Sequence, residues 1–178
     1  MINGSKIILR KKNAADAWDD YAWETDPELA QLDAAPTVSI SYSQYLLDYT
    51  IELRSSRTVS QRFAVDTLDG KHIGNCSYYN LDETRNEVEL GIMIGNRDYW
   101  DKSYGTDAIT TLVNYIFHQL KLKRIHLKTL ESNTRAQKCF QKCGFTQYGQ
   151  VARDGYRFAL MEIRSSQWPE EEQQQAES

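Results

Sequence analysis

The stretch from Glu87 to Leu120 constrains the fold of this chain more than any other feature, because it reads as a strand that runs through a short loop into a long helix. Apolar residues alternate along the strand from Val88 to Ile94 and then recur with the helical period. Ser103, Gly105 and Thr106 lie where the helix begins. Unpaired N–H groups at a helix N-terminus lie at the positive end of the helix dipole, so this junction predicts an anion-binding site.

A carboxylate adjoins the predicted anion site, since Glu89 lies on the incoming strand. The loop has neither the pattern of a nucleotide P-loop nor that of a dinucleotide-binding turn. A second segment, from Glu131 to Phe145, places Asn133 directly after a predicted strand. A short helix follows it and ends at Gly144, a residue that suits a left-handed helix C-cap.

The two segments together resemble the GNAT superfamily of acetyl-CoA-dependent N-acyltransferases. The closest likeness is to the branch that contains the ribosomal-protein N-terminal acetyltransferases. That branch typically shows Glu-Leu-Gly-Ile, then Trp-Gly-Lys-Gly-Tyr-Gly-Thr-Glu-Ala, then Asn-x-Arg-Ala and Tyr-x-Lys-x-Gly-Phe. The matching stretches here are Glu89–Ile92, Trp100–Ala108, Asn133–Ala136 and Phe140–Phe145, and a looser likeness extends from Ile7 to Ile163.

The resemblance implies an α+β (mixed α/β) fold with a central, mostly antiparallel, splayed seven-stranded sheet flanked by helices. The predicted order is one strand, two helices, three strands, then helix, strand, helix and two strands. The two early helices are predicted at Ala14–Glu24 and Ser43–Arg54. A single N-acetyltransferase domain is expected over residues 1–166. The acidic, Gln/Glu-rich tail, residues 167–178, is expected to be disordered.

The resemblance also implies acetyl-CoA as cosubstrate. The splayed central strand should offer the main-chain groups of Ile92, Met93 and Ile94 to pantetheine, and the amides from Asp101 to Thr106 should hold the pyrophosphate. Asn133 should meet the pantetheine from the other side. The residues expected at the cofactor are Ile92, Met93, Ile94, Trp100, Asp101, Lys102, Ser103, Tyr104, Gly105, Thr106, Asn133, Ala136 and Phe140.

Three positions depart from the family pattern. Asp101 and Ser103 replace two glycines, and Phe140 replaces a tyrosine whose phenol often protonates the leaving thiolate. Asp101 places a negative charge near the expected pyrophosphate and should weaken its binding. The Ser103 hydroxyl could cap the helix or reach a phosphate.

Transfer of an acetyl group to an amine needs a group that accepts the amine proton. Glu89 is the expected base, with Glu87 in reserve; alternatively, both glutamates are the exposed face of a half-buried strand. Direct attack of a primary amine on the thioester is the expected reaction. The chain could instead be an acyl-CoA-binding sensor or pseudoenzyme without turnover, or an assembly partner whose cleft binds a peptide without any cofactor.

Composition limits the partners. The net charge of −4 comes from four glutamates after residue 166, so the body has 21 acidic and 21 basic residues, which argues against nucleic acid. No apolar run is long enough for a membrane span and no secretory signal is evident, so a cytoplasmic enzyme is expected. Three cysteines without metal-ligand spacing predict no metal site, and Cys139 and Cys143 are interpreted as small buried apolar residues.

The acceptor is expected to be an amine-bearing small molecule, such as a polyamine, or a protein N-terminus; a homodimer is compatible with the sequence. Seven acidic residues and no basic residue lie between Asp16 and Asp33. This acidic stretch could attract a cationic acceptor, or it could be a solvated helix face.

Overall fold

The computed structural model describes residues 1–55 and 59–169, which form one sheet with helices on both faces. The strands are β1 (Ile2–Asn3), β2 (Ile7–Lys11), β3 (Gln61–Thr67), β4 (His72–Asp82), β5 (Glu87–Ile94), β6 (Arg124–Leu130), β7 (Thr146–Arg153) and β8 (Tyr156–Arg164). The helices are α1 (Ala17–Glu24), α2 (Pro27–Leu32), α3 (Tyr42–Arg54), α4 (Tyr104–His118) and α5 (Thr134–Lys142). None of these helices is long and apolar enough to cross a membrane.

The strands are arranged in the order β1-β2-β3-β4-β5-β6-β8-β7, and every neighbouring pair is antiparallel except β5 and β6. The mixed, mostly antiparallel sheet is therefore confirmed. It has one strand more than predicted, because β1 contains two residues and is too short to show an alternating pattern. Helix α2 was also not predicted: Pro27 follows the end of α1, but it occupies the first position of a new helix that Asp26 caps.

Strands β5 and β6 separate after a short parallel contact, as predicted. They pair at three positions, the last of which joins Glu89 to His126. Beyond that pair, β5 continues along β4 as far as Ile94, while β6 continues along β8 as far as Leu130. We call the resulting V-shaped gap, between 90–94 of β5 and 127–130 of β6, the fork.

The core fixes both arms of the fork against α4. Ile109, Leu112 and Ile116 of α4 are buried against apolar residues of β5 and β6, and each such side chain contributes about 1.5–3 kcal/mol on burial. Asp107 ties the start of α4 to the N-terminal segment, since its carboxylate accepts hydrogen bonds from three successive backbone N–H groups, those of residues 5–7.

Helix α1 reaches the end of β5 through one close contact. A Cβ atom at Gly95 would overlap the ring of Trp23, so only glycine allows this approach. The contact places α1 beside the open end of the fork, and α2 begins there, where Asp26 and Glu28 pair with Arg97. At the other terminus, Trp168 packs against Phe117 and donates to the Asn114 side chain, although it lies within the predicted tail. The remainder of that tail, residues 170–178, lies outside the described residues.

Most residues of the acidic stretch, Asp16 to Asp33, form ion pairs within the protein. The stretch as a whole is therefore neither a surface that attracts a cationic acceptor nor a solvated helix face. Five of its seven acids pair with basic side chains: Asp16 with Arg10, Asp20 with Lys12, Glu24 with Arg62, and Asp26 and Glu28 with Arg97. The bases lie outside the stretch in sequence, and their approach depends on the sheet.

Asp20 is the centre of a buried polar cluster. Its side chain is 0% exposed and lies 2.6 Å from the Lys12 ammonium, whose side chain is 4% exposed. Asn75 and Tyr49 donate further hydrogen bonds to it at 2.8 and 2.9 Å. Burial alone would raise the pKa of Asp20, but the hydrogen bonds and the Lys12 charge outweigh it and lower the pKa well below its ordinary value.

We predict that Asp20→Asn lowers the free energy of unfolding by about 3–5 kcal/mol near pH 7, because it leaves the buried Lys12 charge without its counter-ion. Because the folded-state pKa is depressed, the loss is full above pH ~4 and shrinks as the pH falls further. Urea unfolding measures it. Asp19→Asn on the same helix is the control and should change stability by less than about 0.5 kcal/mol. Equal effects of the two variants would contradict the prediction.

Candidate active site

A cavity of about 410 Å³ occupies the fork and continues to the start of α4. Most of the residues expected at the cofactor line it. They are Ile92, Met93, Ile94, Trp100, Asp101, Ser103, Gly105, Thr106, Asn133, Ala136 and Phe140.

The side chains of Lys102 and Tyr104 point elsewhere. The Lys102 ammonium donates to the Asp98 carbonyl at 2.7 Å. The Tyr104 ring packs edge-on against Tyr99, with the Lys6 ammonium 5.6 Å from its centre. Neither residue is part of the cavity lining, so neither side chain is available to a ligand there.

Successive residues of β5 direct their main-chain N–H and C=O groups alternately towards β4 and into the fork. The carbonyl of Met93 points at Gly74 on β4, where a Cβ atom would collide with it. Because the N–H and C=O of one strand residue point to the same side and successive residues alternate, Ile92 and Ile94 direct their main-chain groups into the fork. Met93 does not, so its expected main-chain role is wrong. The Ile94 carbonyl is already occupied by the Trp100 indole N–H at 2.6 Å.

The N-terminus of α4 opens onto the same cavity. The first helical hydrogen bond joins the Asp107 N–H to the Ser103 carbonyl at 3.0 Å, so the N–H groups of residues 104–106 precede the helical ladder. Gly105 faces the cavity beside Ile94 and Cys139. The turn therefore presents successive donors at the positive end of the helix.

Asp101 and Ser103 both adopt left-handed backbone conformations, with φ of 56° and 68°. Glycine adopts this region without steric cost, which explains why the family has glycine at both positions. The Ser103 side chain makes no capping hydrogen bond, so the first of the two alternatives for its hydroxyl is wrong and contact with a phosphate stays a prediction.

Three cations line the α5 wall of the cavity and were not singled out from the sequence: Arg135, Lys138 and Lys142. The Arg135 guanidinium lies 3.3 Å from the centre of the Trp100 ring, where a cation–π contact holds it beside the start of α4. Arg135 belongs to the Asn-x-Arg-Ala motif, so the signal was in the sequence, but the motif alone did not show which way its side chain points.

Glu89 lies at the apex of the fork and is 8% exposed, so it is not part of an exposed strand face. Its carboxylate accepts hydrogen bonds from the Tyr79 hydroxyl at 3.2 Å and the Asn80 amide at 3.0 Å, and the Lys128 ammonium lies 3.4 Å away. Tyr79 and Lys128 both line the cavity. Neither Glu89 nor Glu87 is itself part of the cavity lining. Glu87 pairs with Arg124 at 2.7 Å and joins the two strands before they separate.

The end of the cavity beyond Glu89 is formed largely by α2. Leu29 and Leu32 supply apolar walls, and Asp33 supplies a carboxylate directly after α2. Partial burial of that carboxylate, helped by the Glu24 charge, raises the pKa of Asp33 to about 6. Asp33 is the member of the acidic stretch that lines the cavity, and no ion pair engages it in residues 1–55 and 59–169.

Phe140 and Cys139 form adjoining parts of the α5 wall. Phe140 is buried against Phe145 and offers no proton. Cys139 was expected to be a buried apolar residue, but it is half-buried, with its sulfur 3.4 Å from the Thr106 hydroxyl. Contact with the Cys143 thiol lowers the pKa of Cys139 below its ordinary value, whereas the same contact raises the pKa of Cys143.

Residues 6–146 match the family model described as an acetyltransferase (GNAT) domain. The chain belongs to the GNAT acetyltransferase family. This enzyme is 27% identical to the uncharacterized N-acetyltransferase p20 of Bacillus licheniformis over 88% of the chain and 93% of that protein. The putative ribosomal N-acetyltransferase YdaF of Bacillus subtilis (strain 168) is 31% identical, but over 49% of this chain and 46% of its own length, so the ribosomal branch is only weakly indicated.

The fold of this acetyltransferase matches that of solved GNAT enzymes. The spermidine N-acetyltransferase from Vibrio cholerae, whose crystal structure contains CoA and spermine, superposes with a TM-score of 0.81 at 18% identity. The match covers 92% of this chain and 98% of that one. Members of the family use acetyl-CoA as cosubstrate, so the fork and the α4 N-terminus are the features to test against that molecule.

We predict that iodoacetamide alkylates Cys139 before Cys76 and Cys143, which are buried. Since the thiolate is the reacting species and the pKa of Cys139 is lowered, the rate should level off at a lower pH than that of an ordinary thiol, whose pKa is about 8.5. Peptide mapping by mass spectrometry gives the rate for each cysteine. A rate at Cys139 that still climbs between pH 8 and 9, as for an ordinary thiol, would contradict the prediction.

Proposed function

We propose that this acetyltransferase transfers the acetyl group of acetyl-CoA to a primary amine by direct attack of the amine nitrogen on the thioester carbon. The observation that carries the proposal is the fork: Glu89 lies at its apex, and the N-terminus of α4 opens onto the other end of the same cavity. Glu89 itself is not part of the cavity lining, but two side chains that contact its carboxylate, Tyr79 and Lys128, are. A carboxylate that can take a proton thus adjoins a cavity that also offers donors for a phosphate.

The residues of the cavity fit acetyl-CoA chemically. Main-chain groups of Ile92, and the N–H of Ile94, have no strand partner on the fork side and suit the amides of pantetheine. The amides of residues 104–106, together with Arg135, suit the pyrophosphate. Asn133 caps α5 by accepting the Ala136 N–H at 3.1 Å, which leaves its amide nitrogen for the cosubstrate. When bound, acetyl-CoA supplies the activated acetyl group.

Glu89 supports the proton transfer that the reaction requires. An alkyl amine has a pKa near 10.4, so it arrives as an ammonium and must lose a proton before it attacks. Tyr79 and Asn80 fix the carboxylate at the apex, where it can take that proton directly or through a water. The N–H of Ile92 or Ile94 can stabilise negative charge on the carbonyl oxygen. With Phe140 unable to donate, the thiol, whose pKa is near 8.5, leaves as the thiolate.

The acceptor class that the cavity supports best is a small aliphatic amine with a second cationic group. Leu29 and Leu32 suit a hydrocarbon chain, and Asp33 places a carboxylate beyond Glu89 for the second charge. The name of the Vibrio cholerae neighbour, a spermidine N-acetyltransferase, supports the inclusion of polyamines. A protein N-terminus is the other acceptor to be tested.

Two observations favour the alternative of a sensor that binds acyl-CoA without turnover. Phe140 provides no acid, and the Glu89 carboxylate already contacts three donors. Both functions require binding of acetyl-CoA, whereas only the enzyme releases free CoA with an amine present.

The test is release of CoA from acetyl-CoA with a panel of spermidine, short diamines, monoamines and a peptide with a free N-terminus. Wild-type protein should turn over at least one of them. Glu89→Gln should lower kcat/KM by roughly 10²–10⁴-fold with little change in acetyl-CoA affinity, because it removes the proton acceptor but keeps an oxygen for Tyr79. Glu87→Gln is the matched control and should stay within a few-fold of wild type. Binding without release for every amine would favour the sensor, and full activity in Glu89→Gln would remove Glu89 from the reaction.

We further predict that Asp101→Gly binds acetyl-CoA roughly fivefold more tightly at low salt, and less so at high salt, since it removes a negative charge beside the proposed pyrophosphate site. Calorimetry measures the affinity. Asp154→Gly is the control, because Asp154 also has a left-handed backbone, with φ of 53°, but lies in the β7–β8 turn, away from the cavity. It should relieve similar strain without changing affinity. Weaker binding in Asp101→Gly would assign Asp101 a structural role in the turn.

A further inference from the structure

Lys128 holds a primary ammonium group at the apex of the fork. It lies on β6 two residues beyond the last pair with β5, and its side chain reaches back across the gap to Glu89. The nitrogen lies 3.4 Å from a Glu89 carboxylate oxygen, and the side chain is 42% exposed. Lys128 thus places a primary alkyl ammonium where the proposed mechanism requires the ammonium of the acceptor.

We propose that Lys128 is an internal acetyl acceptor, so that this acetyltransferase acetylates its own Lys128 when no amine substrate occupies the cavity. The inference rests on the proposed function, because it uses the same base and the same thioester. Lys138 and Lys142 also line the cavity, but neither is paired with a carboxylate in the described part of the chain.

The transfer of the acetyl group to Lys128 needs only Lys128, Glu89, acetyl-CoA and water. One ammonium proton of Lys128 passes to the Glu89 carboxylate, and the freed electron pair of the nitrogen attacks the thioester carbon. The new N–C bond forms as the C–S bond breaks, and the electron pair of that bond leaves with sulfur. The second nitrogen proton then passes to the thiolate, which gives the amide and free CoA. Glu89 returns its proton to water.

A free amine and Lys128 would compete for one carboxylate. An amine that enters the cavity must displace the Lys128 ammonium from Glu89, and while it is there Lys128 has lost its base. Acetylation of Lys128, in turn, removes the positive charge that pairs with Glu89 and adds an acetyl group to the acceptor end of the cavity. The modification should therefore form most readily when acetyl-CoA is abundant and acceptor is scarce.

The test incubates the full chain with acetyl-CoA alone and follows the intact mass, with peptide mapping to locate each acetyl group. We expect one acetyl group at Lys128, formed at least tenfold faster than at Lys121 and Lys123, which are exposed in the loop just before the same strand and report chemical acetylation. Lys128→Arg should lose this fast addition, and Glu89→Gln should slow it by the factor measured for amine turnover. An amine that is turned over should slow it as well.

Three results would overturn the inference: no acetyl group at Lys128, a rate there no greater than at Lys121 and Lys123, or a rate unchanged in Glu89→Gln. The wild-type map alone can contradict it, so the test does not depend on the folding of a variant. Release of CoA with the amine panel is scored separately. Turnover of an amine without acetyl-Lys128 removes the inference and leaves the proposed function standing, whereas the absence of any CoA release removes the proposed function itself.

Discussion

The candidate active site depends on the small number of residue pairs between β5 and β6. Three parallel pairs hold the strands together, and the ion pair of Arg124 with Glu87 joins them where that contact begins. Past Glu89 each strand keeps its other neighbour, so the sheet stays continuous on both sides while its centre opens. A longer contact would use up the main-chain groups of Ile92 and close the cavity. A shorter one would leave Glu89 without a fixed position.

The two halves of the chain contribute differently to this arrangement. The second half supplies the motif segments, in which backbone conformation matters more than side-chain identity, as the left-handed Asp101 and Ser103 indicate. The first half positions α1 and the start of α2 at the open end through the packing of Trp23 on Gly95 and through the buried cluster around Asp20. Charges that look like a recognition surface in the sequence therefore act mainly as structural ion pairs, and of the seven acids only Asp33 is among the residues that line the cavity.

The sequence predicts those features that depend on local order. Strand alternation and the helical period locate β5 and α4, and the motif around Asn133 locates α5, since each signal lies within one short segment. Features that depend on contacts between distant segments could not be predicted. The partners of Glu89 follow from the registers of β4 and β6, and an irregular register between Tyr79 and Asp82 obscures the first of these. The direction of the Met93 carbonyl likewise depends on which strand lies on each side of β5.

The fork gives this sheet a free strand edge in its interior, in addition to its outer edges. The inner and outer edges differ in whether another strand can pair with them. Strand β7 is an outer edge, exposed along nearly its whole length and open to pairing with other chains. An irregularity in register between Gln147 and Gly149 interrupts its pairing with β8, a device that discourages strand addition and aggregation. The free edge of β5 needs no such device. The Trp100 indole already occupies the Ile94 carbonyl, so an added strand would not find a continuous row of free main-chain groups along this edge.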